Sequence, residues 1–473
     1  MYPLLDSDTI CAISTPAGVG GIAVIRVSGI DAVSIVDSIW HGRKLADVKS
    51  HTAHLGDIVD PDNSGEPLDT AVATVFRGPK SFTGEDVVEI SVHGSQWIQR
   101  ELVNLLIRQG CRMAQPGEFT RRAFANGRLD LAQAEAVADV IAASSRSAHR
   151  LAASQMRGDF SHRISGLRDQ LIEIASLLEL ELDFSEEDVE FASRSQLRTL
   201  ADTLFKEITR LASSFSTGAV LKDGVPVAIV GEPNAGKSTL LNALLHDNRA
   251  IVSDIPGTTR DTIEDTIEID GVLYRFIDTA GIRQTDDSIE NLGIERSYAT
   301  ISRARIVLWL ITPDLSPTDY HTLKESITSH LPEDAKLITV LNKIDTLPDN
   351  ELSSSGNGEL SPLSKSDEDS IIIPISARNG KNLPTLMQIL HSNSGAEETE
   401  GADLIVTNAR HYEALIHARA SLERVIFGID TNLSGDFIAQ DLRETIHHLS
   451  TITGTITTAD LLQTIFQKFC IGK

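Results

Sequence analysis

The chain has few cysteines: Cys11, Cys111 and Cys470 are the only three in 473 residues. They are too few for a disulfide framework and too far apart for a C-x-x-C metal or redox motif. Long apolar runs are also missing, because the longest, such as residues 306–311, have strand length and not membrane-span length. No basic leader with an apolar core opens the chain, so we expect a cytoplasmic protein without a membrane segment.

Positive charge is scarce. Lys and Arg number 42 against 67 Asp and Glu, a formal net charge of −25, which as a whole opposes binding to nucleic acid. Any nucleic-acid role therefore needs a local basic face, such as Arg121 and Arg122 with Arg128. We interpret a second group of basic residues as a solvated helix face: Arg146, Arg150, Arg157, His162 and Arg163.

The length predicts two to four domains. Residues 1–125 alternate apolar and polar positions in an α+β pattern, and the pattern becomes helical after them. Short apolar strands then alternate with helices in residues 221–391, as in a doubly wound α/β domain. Helices flank this domain on both sides. We therefore expect residues 126–220 and 392–473 to form one helical domain, with the α/β domain inserted between its two parts. Three domains in a row are the alternative.

The segment Gly231-Glu-Pro-Asn-Ala-Gly-Lys-Ser238 fits the phosphate-binding motif G-x-x-x-x-G-K-[ST]. An apolar strand precedes it and a helical pattern follows it, as a phosphate-cradling turn requires. Lys237 would reach the β- and γ-phosphates of a nucleotide, and the Ser238 hydroxyl would bind Mg²⁺. A glycine-rich turn with a surface lysine is the alternative.

Three further guanine-nucleotide motifs follow in order, each after an apolar strand. They are Asp278-Thr-Ala-Gly281, Asn342-Lys-Ile-Asp345 and Ser376-Ala-Arg378. The carboxylate of Asp345 would accept hydrogen bonds from N1 and N2 of guanine, a donor pair that adenine lacks. The series, with the first switch segment described next, predicts a GTPase with these nucleotide-binding residues: Asn234, Ala235, Gly236, Lys237, Ser238, Thr239, Gly257, Thr258, Thr259, Asp278, Thr279, Ala280, Gly281, Asn342, Lys343, Asp345, Ser376, Ala377 and Arg378.

The segment Gly257-Thr-Thr-Arg-Asp261 occupies the first switch position, where Thr259 would close on Mg²⁺. Ile282 stands where Ras-like GTPases carry the glutamine that orients the attacking water. The water must therefore be positioned from another loop, for which Glu290 and Glu295 are candidates and a solvated acidic loop is the alternative.

Together with Asn234 in the phosphate loop, Asp278-Thr-Ala-Gly-Ile-Arg283 and the terminal Cys470-Ile-Gly-Lys473, these motifs resemble the MnmE (TrmE) tRNA modification GTPases. The resemblance extends over the chain, through the N-terminal segments 15–21, 81–86 and 116–119. It implies a folate-binding, dimerising N-terminal domain, a split helical domain and an inserted Ras-like G domain. It also implies a potassium ion bound by Asn234, Ser253, Ile255 and Thr258, and a water positioned by Glu290. The loop that holds the ion would add Ser253, Asp254, Ile255 and Pro256 to the nucleotide site.

The resemblance further implies a tetrahydrofolate derivative, 5,10-methylene or 5-formyl, near Arg26, Glu89, Arg128 and Lys473. It assigns Cys470 to the modification chemistry. In the family, a homodimer acts with an FAD-dependent partner, MnmG or GidA, on the wobble uridine of certain tRNAs, forming an aminomethyl or carboxymethylaminomethyl group. Two alternatives remain open: a ribosome-assembly GTPase of the Era or EngA kind, and a GTP-regulated scaffold without enzymatic function.

Overall fold

In a computed structural model, the chain divides into two compact units. Unit 1 contains Met1–Ile141, Ala153–Phe205 and His417–Lys473, and unit 2 contains Ala142–Ala152 and Lys206–Ile416. The predicted boundaries of three domains stay a prediction. The structure describes residues 8–62, 66–183, 194–247, 265–277, 298–347, 372–395, 404–467, 469 and 472.

Helices occupy much of the described chain, as the sequence predicts for residues 129–215 and for the C-terminal part. In chain order they are α1 Ala32–Ser38, α2 Gln96–Arg108, α3 Glu118–Ala125, α4 Leu131–Ala142, α5 Arg146–Arg157, α6 Asp159–Asp183, α7 Arg194–Ser213, α8 Phe215–Asp223, α9 Lys237–Asp247, α10 Pro317–Thr328, α11 Leu383–Ser392, α12 Ala409–Asp430, α13 Gly435–Thr453 and α14 Ala459–Phe466.

Unit 1 contains a seven-stranded sheet of order β3-β4-β5-β6-β2-β1-β7. Its neighbouring strands are antiparallel except β1 and β7, which are parallel. The strands are β1 Ile10–Ile13, β2 Gly20–Ser28, β3 Trp40–Gly42, β4 Thr52–Ile58, β5 Asp69–Phe76, β6 Val87–Gly94 and β7 Arg112–Met113. The α+β pattern predicted for this part of the chain is confirmed.

The period of two along these strands places apolar side chains on one face of the sheet. Helices α1 and α2 cover that face, and residues such as Val36 and Leu102 are fully buried between helix and sheet. Farther along the chain α6 packs along α13, and α14 packs on α3. The last helix of the chain thus lies beside the N-terminal sheet domain.

Unit 2 contains a six-stranded sheet of order β13-β12-β11-β8-β10-β9. All neighbouring pairs are parallel except the antiparallel hairpin of β9 and β10. The strands are β8 Val225–Gly231, β9 Asp265–Ile269, β10 Val272–Phe276, β11 Ile306–Ile311, β12 Lys336–Leu341 and β13 Ile372–Pro374. All six side chains of β11 are buried, as expected for a central strand covered on both faces. The predicted doubly wound domain is confirmed.

Candidate functional site

Three of the predicted nucleotide motifs, those that lie in the described residues of unit 2, meet at one edge of its sheet. The phosphate-binding segment follows β8, Asn342 follows β12, and Ser376 lies two residues after the end of β13. Because these strands are parallel, their carboxyl ends lie on the same side, where doubly wound sheets bind ligands. Residues more than one hundred positions apart in the chain therefore line a single site.

Two glycines give the phosphate loop its shape. A Cβ atom on Gly231 would lie 2.4 Å from the carbonyl oxygen of Leu310, and one on Gly236 would lie 2.3 Å from Nδ2 of Asn342. Gly236 also has φ +98°, and Asn234 has the left-handed φ of 64° that asparagine tolerates better than most residues. The loop leads directly into the N-terminus of α9, where the helix dipole favours an anion.

Lys237 is the first residue of α9 and turns back into the loop. Its Nζ donates hydrogen bonds to the carbonyl oxygens of Gly231, at 2.7 Å, and Glu232, at 3.0 Å. Burial lowers the pKa of Lys237, because the charged form loses water. Ser238 and Thr239 follow in the first turn of the helix, as the motif requires.

Asn342 holds two of the loops together. Its Nδ2 donates to the carbonyl oxygen of Ala235 at 2.9 Å, and its Oδ1 accepts from the backbone N–H of Ala377 at 3.0 Å. The side chain is buried, so both hydrogen bonds are shielded from water. Asn342 therefore fixes the spacing between the phosphate loop and the predicted guanine-binding segment.

The carboxylate of Asp345 is oriented by a neighbour. The hydroxyl of the fully buried Ser376 donates to Oδ1 of Asp345 at 2.6 Å and accepts from the backbone N–H of Asn379 at 3.2 Å. This hydrogen bond lowers the pKa of Asp345 and keeps the side chain ionised. Lys343 has a left-handed φ of 63°, and Arg378 is exposed. An ionised, oriented acceptor is what recognition of two guanine N–H donors requires.

A second cluster of predicted residues lies in unit 1. Arg26 on β2 faces Glu89 on β6, and the shortest distance between their charged atoms is 2.7 Å, from Nη2 to Oε1. The guanidinium carbon of Arg26 lies 5.3 Å from the ring centroid of Phe82 and 5.6 Å from that of Phe119. These are cation–π distances, so the charge of Arg26 interacts with both aromatic rings.

The C-terminus is docked close to this pair. Gly472 accepts a hydrogen bond from the hydroxyl of Ser14 at 3.2 Å, and a Cβ on Gly472 would lie 2.3 Å from the carbonyl oxygen of Ile13. Both contacts adjoin β1, whose Ala12 pairs with Arg26. A Cβ on Gly117 would likewise lie 2.6 Å from the carbonyl oxygen of Phe466. The chain end therefore lies beside β1, the strand that pairs with β2 and its Arg26, and the predicted approach of Lys473 to Arg26 stays a prediction.

Arg128 lies near the same segment. Its Cγ would be 3.2 Å from a Cβ on Gly84, which is two residues beyond Phe82. The side chain of Arg128 is exposed.

An ion cluster in unit 1 was not predicted from the sequence. Arg122, only 2% exposed, donates to Asp8 at 3.0 Å, to Glu85 at 3.2 Å and to Glu118 at 3.1 Å. Arg112 binds the same Glu118 at 2.6 Å and also pairs with Asp8. The sequence suggested that Arg121, Arg122 and Arg128 form a basic face. This prediction is wrong for Arg122, because its guanidinium is buried among carboxylates. The spacing of Glu118 and Arg122, four residues apart on one helix, could have signalled their pairing.

Comparison with known proteins identifies the family. The model of the MnmE helical domain matches residues 131–470, and that of the N-terminus of the GTP-binding protein TrmE matches residues 9–128. The tRNA modification GTPase MnmE of Parabacteroides distasonis is 53% identical over 98% of this chain and 100% of its own length. The chain belongs to the MnmE family. The MnmE proteins of Bacteroides fragilis and Cytophaga hutchinsonii are 50% and 49% identical, covering 99% of this chain and 100% and 98% of their own.

A solved structure of Era with MgGDPNP and a segment of 16S ribosomal RNA is 31% identical, with a TM-score of 0.27. It covers 42% of this chain and 66% of Era. The MnmE relatives, in contrast, match both the N-terminal and the helical parts. The full-length matches therefore favour the MnmE family over the Era alternative.

Several residues predicted from the nucleotide motifs or from the MnmE resemblance lie outside the described residues. They are Ser253, Asp254, Ile255, Pro256, Gly257, Thr258, Thr259, Asp278, Thr279, Ala280, Gly281, Glu290, Glu295, Cys470 and Lys473. Their roles stay predictions. None of the helices in the described part of the chain combines the length and apolarity that crossing a membrane requires.

Proposed function

We propose that this chain is a GTP-hydrolysing tRNA modification protein. With an FAD-dependent partner of the MnmG (GidA) kind, it would form 5-carboxymethylaminomethyl or aminomethyl uridine at the wobble position of certain tRNAs. The relatives' shared name, tRNA modification GTPase, supports the substrate class. The observation that carries the GTPase part is the joining of the phosphate loop, Asn342 and Ala377 by two buried hydrogen bonds.

GTP would bind across this edge of the sheet. The backbone N–H groups at the start of α9 and the ammonium of Lys237 would hold its phosphates, and Asp345 would accept from guanine. In the ligand-free arrangement Lys237 binds two loop carbonyl oxygens, so it must exchange those partners for phosphate oxygens. Because burial disfavours its charge, the gain on meeting a phosphate is large. Ser238 and Thr259 would bind Mg²⁺, which neutralises charge on the phosphates.

Hydrolysis would rely on groups other than the glutamine that Ile282 replaces. Glu290 would position the water. Asn234, Ser253, Ile255 and Thr258 would bind a potassium ion, which supplies positive charge where an arginine finger would otherwise act. The G domains of two subunits would pair when GTP is bound.

A tetrahydrofolate derivative would bind in unit 1 near Arg26, Glu89, Arg128 and Lys473. The derivative supplies the one-carbon unit that is attached to carbon 5 of uridine. The residues present fit such a ligand, because the pair of Arg26 and Glu89 offers hydrogen-bonding groups and two aromatic rings lie next to Arg26, and pterins offer both hydrogen-bonding edges and flat faces. The docking of Gly472 next to β1 supports a role for the neighbouring Cys470 in the modification chemistry.

We further propose that residues 1–125 bind folate and form the homodimer, that 126–220 and 392–473 form the helical domain, and that 221–391 form the G domain. The protein would act in the cytoplasm. Its net charge of −25 is consistent with a partner that supplies most of the tRNA-binding surface.

The proposal is tested on tRNA from cells that lack this protein. We expect mass spectrometry of the digested tRNA to show loss of the wobble-uridine modification. The wild-type chain should restore it, whereas Lys237→Ala should not. Lys336→Ala, which changes an exposed lysine at the start of β12, is the matched control and should restore it. Full modification in the deletion strain would contradict the proposal.

A further inference from the structure

The ion cluster around Arg122 has no part in the function proposed so far. Its carboxylates come from three separate segments of unit 1: Asp8 before β1, Glu85 between β5 and β6, and Glu118 at the start of α3. Glu118 is only 1% exposed, and the hydroxyl of Ser28 on β2 donates to Glu85 at 2.8 Å. One guanidinium therefore joins parts of the chain that are far apart in sequence.

Two of these segments also carry the aromatic rings that contact Arg26. Phe119 directly follows Glu118, and Phe82 is three residues before Glu85. The short segment between Phe82 and Glu85 is fixed internally, because Thr83 Oγ1 accepts from the N–H of Glu85 at 3.3 Å and its carbonyl accepts from Nδ2 of Asn126 at 2.7 Å. A displacement of either carboxylate would thus be transmitted to a ring.

We propose that Arg122 is a positioning residue for the folate pocket, holding Phe82 and Phe119 in contact with Arg26. This inference rests on the proposed folate site. Arg122 itself contacts the carboxylates and not the rings, so its effect passes through the backbone of the two segments.

An arginine is required here for a geometric reason. Its planar fork offers five N–H donors, and Arg122 uses Nη1 for Glu85 and the carbonyl oxygen of Asp8, and Nη2 for Glu118 and the carboxylate of Asp8. A lysine keeps the charge but places three donors on one atom and cannot span these partners. Arg122→Lys therefore loosens the arrangement while leaving the buried carboxylates with a counter-charge.

The first measurement is the dissociation constant of the full-length protein for 5-formyltetrahydrofolate, by calorimetry. We expect Arg122→Lys to raise it at least tenfold. The matched control is Arg77→Lys, because Arg77 also binds a carboxylate, Asp86 at 2.9 Å, and two carbonyl oxygens, but makes no bond to α3. The side chains of Arg77 and Asp86 are 31% and 30% exposed, so the control should lower the melting temperature by less than Arg122→Lys does. It should change the dissociation constant less than twofold. Equal weakening by both variants would overturn the proposal.

The second measurement needs no ligand. Hydrogen exchange of the free protein reports on the N–H of Glu85, which bonds to Thr83, and on that of Gln115, which bonds to Glu118 Oε2 at 2.8 Å. Both should exchange at least tenfold faster in Arg122→Lys than in the wild type, and at the wild-type rate in Arg77→Lys. Unchanged exchange would refute the positioning role. Faster exchange in a protein whose wild type binds no folate would support the positioning role and refute the folate site.

Discussion

The two candidate sites of this protein are built in different ways. In unit 2 the residues that would bind GTP come from short motifs, each placed after a parallel strand, so the sheet itself brings them to one edge. In unit 1 the pair of Arg26 and Glu89 lies within the sheet, and its surroundings come from a loop, a helix start and the chain end. No local motif describes such a site.

The electrostatics of the two sites differ as well. Asp345 has its pKa lowered by one hydroxyl and is exposed, so its charge is available to a ligand. Burial alone would raise the pKa of Glu118, but hydrogen bonds from Arg112, Gln115 and Arg122 lower it overall. The carboxylate of Asp345 can therefore accept hydrogen bonds from a ligand, whereas the carboxylate of Glu118 accepts its hydrogen bonds from groups within the protein. Substitutions should therefore separate binding from stability.

The largest effect is expected for Asp345→Asn. Two hydrogen bonds from guanine to a charged acceptor would be lost, each worth about 1.5–3 kcal/mol, so GTP should bind at least a hundredfold more weakly. Xanthosine triphosphate, which presents an acceptor at the altered position, should bind more tightly than before. Fluorescent-nucleotide titration measures both, and the melting temperature should stay unchanged. Asp319→Asn, at an exposed carboxylate in α10, is the control. Unchanged GTP affinity would contradict the guanine assignment.

Glu118→Gln should give the opposite result. Three arginines, Arg112, Arg121 and Arg122, lose a buried counter-charge, which we expect to cost about 3 kcal/mol in the free energy of unfolding. Nucleotide affinity should not change. Denaturant unfolding and the nucleotide titration together measure the two effects. If Glu118→Gln weakened GTP binding as well as lowering the free energy of unfolding, the two sites would not be energetically independent, and the prediction would be wrong.

The ion cluster around Arg122 should make the stability of the protein depend on pH. Hydrogen bonds from Arg112 lower the pKa of Asp8, and the pKa of Glu118 is also lowered. Carboxyl groups with lowered pKa values stabilise the folded state fully above their ordinary pKa, about 4, and lose this contribution as the pH falls through their lower folded-state pKa. We expect stability to fall below about pH 4, and less steeply in Glu118→Gln. An identical slope in both proteins would show that other groups cause the loss.

The smallest effect concerns the monovalent cation. Replacing potassium by sodium should slow GTP hydrolysis about tenfold, equivalent to about 1.4 kcal/mol in the barrier. Phosphate release measured in the two chlorides tests this expectation. Asn234→Ala should remove the difference, because it deletes a predicted ligand, whereas Lys336→Ala should preserve it. Equal wild-type rates in both salts would remove the role of Asn234.

The sheet of unit 2 was predictable because each strand is a short apolar run and each motif follows one. The positions of Asn342 and Ser376 at the edge of this sheet were predictable for the same reason. Their hydrogen bonds to Ala235 and Asp345 were not. In unit 1, Arg122 was misjudged as a surface charge because its partners Asp8 and Glu85 are distant in sequence. Ion pairs between distant segments leave no periodic pattern in a sequence.

The sequence by itself determined the fold of the nucleotide domain, the guanine specificity expected of it and, through family membership, the overall class. These depend on local spacing, which the chain carries in its order of residues. Only the tertiary structure decided that Arg122 is buried, that Phe82 and Phe119 face Arg26, and that Gly472 adjoins β1. Such contacts join segments up to about 460 residues apart, as in the hydrogen bond from Ser14 to Gly472, and arise only when packing brings the segments together.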